Sequence, residues 1–472
     1  KALRQKILDL AIHGKLVPQD PNDEPASVLL ERIKAEKERL IKEGKIKRSK
    51  KSAKSSDTPH YENVPFELPN SWVWCRLEDI AYVASGSTPD KTCFVENGVP
   101  YIKMYNLRNQ KIDFAYHPQY ITEEVHNGKL QRSRTEVGDL IMNIVGPPLG
   151  KLAIIPTTLP QANFNQAAVL IRPYKFKEVL VSYLKVYLEE MSEINSIATR
   201  GSAGQVNISL TQSQNMRIPI PPLNEVRRII EEVSKYDILI DSLKQNITDI
   251  QNLIAYTKSK ILDLAIHGKL VPQDPNDEPA IELLKRINPD FTPCDNGHYP
   301  VGWIETILGE LFSHNTGKAL NSSNKEGIFK DYLTTSNVYW NKFDFTAIKQ
   351  MPFKESELNK CTVTKGDLLV CEGGDIGRSA IWNYDYDICI QNHIHRLRPK
   401  IDLCVPFYYY TFAYLKENNL IGGKGIGLLG LSSNALHKIE MPLPPLAEQQ
   451  RIVQKIEELF SVLDNIQNAL EV

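Results

Sequence analysis

The chain has no excess of either charge, no cysteine motif and no long hydrophobic run. Its 56 Lys and Arg residues balance 57 Asp and Glu residues, so any nucleic-acid binding must come from local basic patches or be shared with a partner. The seven cysteines form no C-x-x-C pair, which favours reduced thiols over a zinc site or a disulfide framework. No apolar run approaches the roughly 18 residues that span a bilayer, and the charged N-terminus lacks a signal-peptide core. We therefore expect a cytoplasmic protein.

Catalytic signatures are scarce. The sequence has no H-E-x-x-H or G-x-S-x-G motif, and no Asn/Asp-Pro-Pro-aromatic tetrapeptide of the kind that amino-methyltransferases use. Residues 146–152 resemble a P-loop, but the spacing is one residue short and no Ser or Thr follows Lys151. The glycine-rich stretch 422–430 lacks a strand-then-helix context, so we interpret it as a loop. His393 and His395 alternate, which predicts a polar, partner-facing strand, with a metal site as the alternative.

An internal repeat organises the chain. Residues 6–26 and 260–280 are identical, and their offset of 254 residues is far too long for a solenoid unit. Looser matches pair Trp72 with Trp303, 137–143 with 365–371, 147–155 with 374–382, and 217–229 with 438–452. The chain is therefore a duplicated half-molecule, and each half holds a variable region, a proline-rich stop and a helix.

The proline-rich stops at 219–223 and 442–446 mark domain boundaries, because proline fits neither a helix interior nor a central strand. After the first stop, apolar residues recur with the 3-4 spacing of a coiled-coil seam. These residues are Val226, Ile229, Val233, Tyr236, Ile240, Leu243, Ile247, Ile250, Ile254, Ile261 and Leu264. The C-terminal and N-terminal segments carry two pieces of the same pattern. We predict that they join end to end, antiparallel to the central helix; ordinary packing on a globular core is the alternative.

The two variable regions predict mixed α/β structure, because short apolar runs alternate with Gly, Pro and Asn. Helices are expected at 179–194 and 404–416. The first half also contains an insertion between Ala26 and Trp72 that ends in a Lys/Ser-rich tail. This tail is either a solvated linker or an arm that contacts phosphates. Trp72 and Trp303 are expected in the core, and Asp139 and Asp367 are expected to form turns.

Three features together resemble the specificity subunit of type I restriction-modification systems. They are the repeated ILDLAIHGKLVPQDPNDEPA segment, the GDL…G-[KR]…Q…RP pattern and the PPLxEQxRI helix start. The resemblance covers essentially the whole chain. It implies an α/β (α+β) fold in which two mixed α/β target-recognition domains are joined by a pair of long antiparallel coiled-coil helices, with a pseudo-twofold internal repeat.

The resemblance and the repeat together predict five segments. They are an N-terminal helix with a basic arm at 1–60, the first target-recognition domain at 61–222, a central helical region at 223–280, the second target-recognition domain at 281–445, and a distal C-terminal helix at 446–472.

The resemblance also implies a function. Each target-recognition domain would read one half of a split, asymmetric site in double-stranded DNA. The helices would set the spacer and dock two methyltransferase subunits, which bind S-adenosylmethionine and methylate adenine at N6. Restriction subunits, which are motor-nucleases, would join with ATP and magnesium. The chain itself would be non-catalytic and hold no cofactor or metal.

Three alternatives remain open at this point. The chain could be the specificity subunit of another restriction class, serving a fused methyltransferase-nuclease. It could be an autonomous DNA methyltransferase or nuclease. It could also be a bivalent scaffold with no DNA role.

The central helix is long enough to set the distance between the two half-sites in the DNA. At 1.5 Å per residue, residues 225–256 would span roughly 48 Å, compared with about 34 Å for one turn of B-DNA. We therefore expect that residues inserted in phase within 238–254 lengthen the spacer.

Candidate DNA-binding residues are polar and basic side chains in matched loops, because such groups bind base edges and phosphates. In the first domain they are Lys103, Tyr105, Asn106, Arg108, Asn109, Arg132, Arg134, Lys151, Asn163, Asn165, Gln166, Arg200 and Gln205. In the second they are Thr335, Ser336, Asn337, Trp340, Lys342, Glu372, Asp375, Arg378, Gln391, Asn392, His393 and Lys424. The candidate methyltransferase-binding residues are His13, Lys15, Glu225, Arg228, His267, Lys269, Glu448 and Arg451.

Overall fold

The computed structural model describes residues 2–48, 66–146, 149–194, 207–292, 298–320, 326–421 and 431–471. The chain divides into two compact units, a first unit of residues 1–244 and a second unit of residues 245–472. Within the described ranges, no helix has both the length and the apolar character needed to cross a membrane.

The described residues of the first unit form six helices and the start of a seventh. They are α1 (Ala2–Ile12), α2 (Ala26–Lys42), α3 (Leu77–Ile80), α4 (Glu123–Asn127), α5 (Lys177–Ile194), α6 (Leu210–Gln214) and α7 (Leu223–Ile266). Its strands are β1 (Val73–Arg76), β2 (Ala81–Ser85), β3 (Phe94–Val95), β4 (Val99–Ile102), β5 (Leu107–Arg108), β6 (Lys111–Ile112), β7 (Tyr120–Ile121), β8 (Leu140–Asn143), β9 (Leu152–Ile154), β10 (Asn163–Phe164), β11 (Ala168–Pro173) and β12 (Arg217–Ile220).

In the second unit, the part of the chain that the structure describes forms the end of α7 and six further helices. They are α8 (Ala280–Lys285), α9 (Leu308–Leu311), α10 (Glu355–Cys361), α11 (Val405–Glu417), α12 (Ser433–His437) and α13 (Leu446–Leu470). Its strands are β13 (Ile304–Ile307), β14 (Phe312–Thr316), β15 (Ile328–Leu333), β16 (Val338–Tyr339), β17 (Lys342–Phe343), β18 (Lys349–Phe353), β19 (Thr362–Val363), β20 (Leu368–Cys371), β21 (Ser379–Ile381), β22 (Ile388–Ile390), β23 (Ile394–Pro399) and β24 (Glu440–Leu443).

The two units share most of their sheet topology. The order β2-β11-β8-β9 in the first unit corresponds to β14-β23-β20-β21 in the second, and the β1-β12 pair corresponds to β13-β24. In each unit a parallel pair, β4 with β10 or β15 with β22, lies in a second mixed sheet. Pro219 and Pro442 lie in the two-stranded sheets, where each proline is tolerated because the strand has a free edge.

Strand β11 divides the core of the first unit into two clusters. Val169 and Ile171 pack with residues of α1, α5 and α7, whereas Ala168 and Leu170 pack on the other side with the β4–β10 sheet. Successive side chains of a strand point to opposite faces, so burial on both faces requires the continuous apolar run seen in the sequence. Strand β20 divides the core of the second unit in the same way.

The identical 21-residue segments share several contacts. In both, a glycine with positive φ lies two residues after the helix, with φ of +66° at Gly14 and +65° at Gly268. A Cβ atom at these positions would lie 2.6 Å from Pro69 Cγ or 2.5 Å from Pro300 Cγ. Glycine is therefore required both by the backbone conformation and by the close approach of a proline.

Each unit contains an antiparallel helix pair. In the first, Arg4 of α1 donates to Asp237 of α7 at 2.8 Å, while Gln19, further along the chain, bonds Glu225 at the start of α7. In the second, Lys258 of α7 pairs with Asp464 of α13, and Gln273 bonds Glu448 at the start of α13. In both units, a residue later in one segment contacts a residue earlier in the partner helix. The two segments therefore run in opposite directions, which confirms the predicted antiparallel pairing within each unit. The end-to-end junction of the terminal helices stays a prediction.

The predicted seam is buried at only some of its positions. Val226, Ile229, Val233 and Ile240 are buried in the first unit, and Ile254 and Ile261 are buried in the second. Other apolar side chains of α7 between Val233 and Ile261 are exposed. These are Tyr236, Ile238, Leu239, Leu243, Ile247, Ile250, Leu253 and Tyr256.

Candidate nucleic-acid interface

Three loops meet at one edge of the first unit, which we call the first three-loop edge (103–111, 144–146 with 149–151, and 165–167). The amide of Leu152, just after the second loop, donates to Gln110 Oε1 at 2.8 Å. The amide of Ile144 donates to the carbonyl of Ala167 at 2.8 Å, and the amide of Asn165 donates to the carbonyl of Ile102 at 3.1 Å. These bonds tie the three loops together pairwise.

The second unit has the same arrangement, the second three-loop edge (334–342, 372–378 and 391–393). Arg378 donates to the carbonyl of Thr335, and the amide of Glu372 donates to the carbonyl of His393 at 3.0 Å. The amide of Gln391 donates to the carbonyl of Leu333 at 2.9 Å. Sequence matching predicted that these three loops carry equivalent roles in both halves, and the fold brings them together in both.

Most of the predicted DNA-binding residues lie on these two edges. On the first edge are Lys103, Tyr105, Asn106, Arg108, Asn109, Lys151, Asn165 and Gln166. On the second are Thr335, Ser336, Asn337, Trp340, Lys342, Glu372, Asp375, Arg378, Gln391, Asn392 and His393. Predicted residues Arg200, Gln205 and Lys424 lie outside the described residues.

Asn106 and Asn337 support the hairpins from inside. They are 1% and 2% exposed. The Asn106 side chain accepts from the amide of Lys103 at 2.9 Å and donates to the carbonyls of Asp113 and Tyr116. Asn337 makes the equivalent bonds to Thr334 and Asp344. We therefore revise the prediction for this pair, because buried amides with satisfied hydrogen bonds are not available to a base edge.

The hairpin β5–β6 ends in an exposed polar tip. Asn109 and Gln110 both have positive φ, +48° and +57°, as a two-residue hairpin turn requires. The guanidinium of Arg108 lies 4.1 Å from the ring centroid of Tyr116, and its Nε is 3.6 Å from Asp113. Asn109 is thus presented at the tip of a hairpin whose neighbouring side chains are held by other contacts.

The equivalent hairpin β16–β17 is aromatic. The ring of Tyr339 lies 5.2 Å from the Arg378 guanidinium and 6.0 Å from Lys342 Nζ. Trp340 packs against Tyr409 with ring centroids 6.2 Å apart. The two edges therefore share a backbone frame but present different chemistry.

The third loop of each edge follows a close backbone approach. A Cβ atom on Gly86 would lie 2.0 Å from the carbonyl oxygen of Asn165, and one on Gly317 would lie 2.0 Å from that of Ile390. Gln166 is exposed, but Asn163 is fully buried and donates to the Leu130 carbonyl and the Ser133 hydroxyl. The prediction for Asn163 is therefore revised in the same way as that for Asn106.

The remaining predicted cations of the first unit lie away from the three loops. Arg134 donates to the carbonyl of His126 and to the side chain of Asn127, both on α4. Arg132 is exposed in the short 3-10 turn that follows this helix. Their place on the same DNA surface stays a prediction.

His393 and His395 do not share a face. His393 precedes β23 and is exposed, with Nδ1 3.3 Å from Glu372 Oε2. His395 is buried within the strand, and its Nε2 lies 2.7 Å from the carbonyl of Leu431. The predicted polar strand is therefore wrong at His395, because the strand begins only at Ile394. In the described part of the chain, no group of His, Cys, Asp and Glu side chains could hold a metal ion.

His395 belongs to a histidine cluster that sequence reasoning missed. His314 Nε2 lies 2.8 Å from His395 Nδ1, and the His437 ring centroid lies 4.8 Å from that of His314. The Leu431 carbonyl can only accept a hydrogen bond, so His395 Nε2 carries the proton and His395 Nδ1 accepts a hydrogen bond from His314 Nε2. Burial lowers the pKa of His395, and burial together with the neighbouring imidazoles lowers the pKa of His314 to about 4. The equivalent strand positions in the first unit are Val83 and Val169.

The predicted methyltransferase-binding residues divide into two groups. Glu225 and Glu448 are each 1% exposed, and burial raises the pKa of both carboxyls. We revise the prediction for these two, because they anchor the repeated segments inside each unit. Arg228 and Arg451 are partly exposed and pair at 2.6 Å with Asp23 and Asp277 of those segments.

The repeated segments leave other predicted residues accessible. Lys15 and Lys269 are exposed. His13 and His267 are partly exposed, and the Nδ1 of each lies 2.7 Å from a carbonyl one helical turn earlier, that of Asp9 or Asp263. These four residues stay candidates for a docking surface.

Comparison with known proteins agrees with this architecture. A family model for the type I restriction modification DNA specificity domain matches residues 69–252 and 300–472. The chain is 28% identical to the specificity subunit of type I restriction enzyme EcoEI from Escherichia coli, with 100% of this chain and 91% of that subunit covered. It is 27% identical to the EcoAI specificity subunit from the same species, with 99% and 90% covered.

A solved structure shares the fold. It is a chain from a study of complex assembly and conformational transition in the type I R-M system, with a TM-score of 0.55 and 20% identity over 86% of this chain and 94% of that one. The resemblance and the fold class predicted from the sequence are thereby confirmed. The chain belongs to the family of type I restriction-modification DNA specificity subunits and carries the family's domain twice.

Proposed function

We propose that each three-loop edge reads one half of a bipartite DNA site. The observation that carries this proposal is the pair of equivalent edges, built on the same backbone but lined by different side chains. The first edge carries Asn109 and Lys151, whereas the equivalent positions of the second edge carry Trp340 and Arg378. Because the two edges differ in chemistry, the two half-sites differ in sequence and the complete site is asymmetric.

We further propose that the chain assembles with two methyltransferase subunits and with restriction subunits. The exposed apolar side chains on α7 support a docking role, because large apolar groups in contact with water favour association. Lys15 and Lys269 lie at equivalent places in the two repeats, which supports the same partner binding twice. S-adenosylmethionine, ATP and magnesium would be bound by the partners, and the complex would act with the DNA in the cytoplasm.

In this proposal the chain recognises the DNA sequence and does not catalyse a reaction. Its residues would hold the DNA in register, and the partners would transfer the methyl group or cleave the strands. The near-zero net charge is compatible with this division, since phosphate contacts shared with partners reduce the number that the chain must supply.

Co-expression with the methyltransferase subunit, followed by single-molecule sequencing of host DNA for N6-methyladenine, tests the proposal. We expect methylation confined to one split, asymmetric motif. The methyltransferase expressed alone is the control and should give no such motif. A stable complex that methylates no defined motif would contradict the proposal and favour a scaffold.

A further inference from the structure

A recess of about 380 Å³ lies between the tip of hairpin β5–β6 and the second loop of the first three-loop edge. It is lined by Leu107, Arg108, Asn109, Gln110 and Lys151. Arg108 is held against Tyr116, and Gln110 is bonded to the Leu152 amide. Among the residues that the structure describes, Asn109 and Lys151 have no hydrogen-bond or ion-pair partner for their side chains. The recess therefore presents one amide and one ammonium group.

The backbone beneath each of these two side chains is constrained by local structure. Asn109 occupies a left-handed turn position, with φ of +48°. The amide of Lys151 donates to Asn143 Oδ1 at 2.5 Å, and Asn143 is 2% exposed. The preceding Gly150 has φ of +74°. The backbone of Lys151 is thus held by a buried side chain, and that of Asn109 by a tight hairpin turn, which is the preorganisation that selective binding needs.

The chemistry of the pair matches purine edges in the major groove. An asparagine amide offers one donor and one acceptor, the complement of adenine N6 and N7, and a lysine ammonium donates to guanine O6 and N7. Resting on the function proposed above, we propose that Asn109 and Lys151 are specificity-determining residues. Asn109 would read an adenine and Lys151 a guanine, in the half-site of the first unit.

The second unit cannot use these positions in the same way. Trp340 stands in place of Asn109 and packs on Tyr409. Arg378 stands in place of Lys151, but it bonds the Thr335 carbonyl and lies over the Tyr339 ring. The same two backbone positions therefore read bases in the first unit and brace the hairpin in the second.

The test uses the full chain in complex with its methyltransferase subunits. The methylated motif is first mapped for the unaltered complex, and duplexes carrying single-base changes are then compared in competition binding. Asn109→Ala is expected to relax one adenine position of one half-site, with discrimination there falling by about 5- to 150-fold. Lys151→Ala should relax a guanine position of the same half-site. Both variants should leave the other half-site unchanged.

Two further variants keep the test decisive. In Asn109→Asp, the new aspartate also tolerates the left-handed conformation, but its carboxylate can only accept hydrogen bonds. The base preference should therefore shift from adenine towards cytosine, whose N4 group donates. Lys111→Ala is the matched control, because Lys111 is exposed on the same hairpin and does not line the recess. It should weaken binding to all sequences equally and leave the motif intact.

The inference is overturned if Asn109→Ala, Asn109→Asp and Lys151→Ala all retain the original motif and weaken all duplexes equally, since both residues would then contact only phosphates. An unaltered complex that methylates no defined motif would instead refute the proposed function itself. The two failures are therefore distinguishable.

Discussion

Arg172 donates two hydrogen bonds to the Asp139 carboxylate, from Nε at 2.9 Å and from Nη2 at 2.6 Å. Arg398 donates the equivalent two bonds to Asp367, at 2.8 and 2.7 Å. In each unit this pair joins the turn before a central strand to the end of its neighbour. The G-D and R-P motifs, which lie far apart in the sequence, thus form one ion pair in which the carboxylate is buried and the arginine is partly exposed.

Loss of this contact is expected to destabilise the unit that contains it. The Asp139 side chain is fully buried and Arg172 is 24% exposed, so Asp139→Asn should lower the free energy of unfolding by about 3 kcal/mol. Chemical denaturation of the complex measures the change. Asp385→Asn is the control, because the Asp385 side chain is 89% exposed and such pairs contribute at most about 1 kcal/mol. Equal effects of the two substitutions would contradict the prediction.

The histidine cluster makes the second unit sensitive to acid. Folding lowers the pKa of His314 to about 4 and also lowers that of His395, whereas unfolded imidazoles titrate near about 6.5. The unfolded state therefore binds more protons below that value, and the free energy of unfolding should fall as pH drops from about 6.5 towards 4. Unfolding midpoints at pH 7 and pH 5 measure the loss.

The first unit supplies the control for this pH dependence. The double variant His314→Val/His395→Val installs the residues found at Val83 and Val169. Glu372, Arg396, Lys360 and His437 also act on the cluster and remain in this variant. A midpoint that falls with acid as steeply in the variant as in the original chain would show that the drop arises elsewhere.

The close approach at Gly317 predicts a steric cost. A Cβ atom would lie 2.0 Å from the Ile390 carbonyl oxygen. The Cβ position is fixed by the backbone and the oxygen belongs to the backbone, so neither atom can rotate away. Gly317→Ala should destabilise the second unit by about 1–3 kcal/mol. Gly373→Ala, with nothing within 4 Å of the new Cβ, should cost far less in the same unfolding assay. A variant at Gly317 as stable as that at Gly373 would argue against the close contact.

The length of α7 is expected to set the spacer. Seven residues inserted within 238–254 keep the helical phase and add about 10 Å, which corresponds to roughly three base pairs at 3.4 Å each. Methylome sequencing of the variant complex should reveal the same half-sites with a longer spacer. A four-residue insertion extends the helix less and is the comparison. Retention of the original spacer by both insertion variants would refute the hypothesis that the length of α7 sets the spacer.

Features that depend on the local chain were predictable. The repeat, the helices near 179–194 and 404–416, and the turns at Asp139 and Asp367 follow from identity, periodicity and turn chemistry. The matched loops were also found, because equivalent positions in two copies of one domain lie in equivalent places.

Features that depend on distant backbone groups were not predictable. Asn106 has the composition of a base-reading loop residue, and only the folded hairpin shows that the carbonyls of Asp113 and Tyr116 occupy its amide. Glu225 is charged and begins a helix, which suggested exposure; its burial depends on Gln19, which lies far away in the sequence. His395 required knowledge of where β23 begins.

The repeated segment also has a consequence for how such chains change over time. Residues 6–26 seat on Glu225 and Arg228 with the same partners that residues 260–280 use on Glu448 and Arg451. The two copies are thus structurally interchangeable. A domain inserted between two such repeats would be flanked on both sides by sequences that make the same anchoring hydrogen bonds and ion pairs. Exchange of gene segments at these repeats would replace one target-recognition domain in one step. It would change half of the recognised DNA site and leave the helices unaltered.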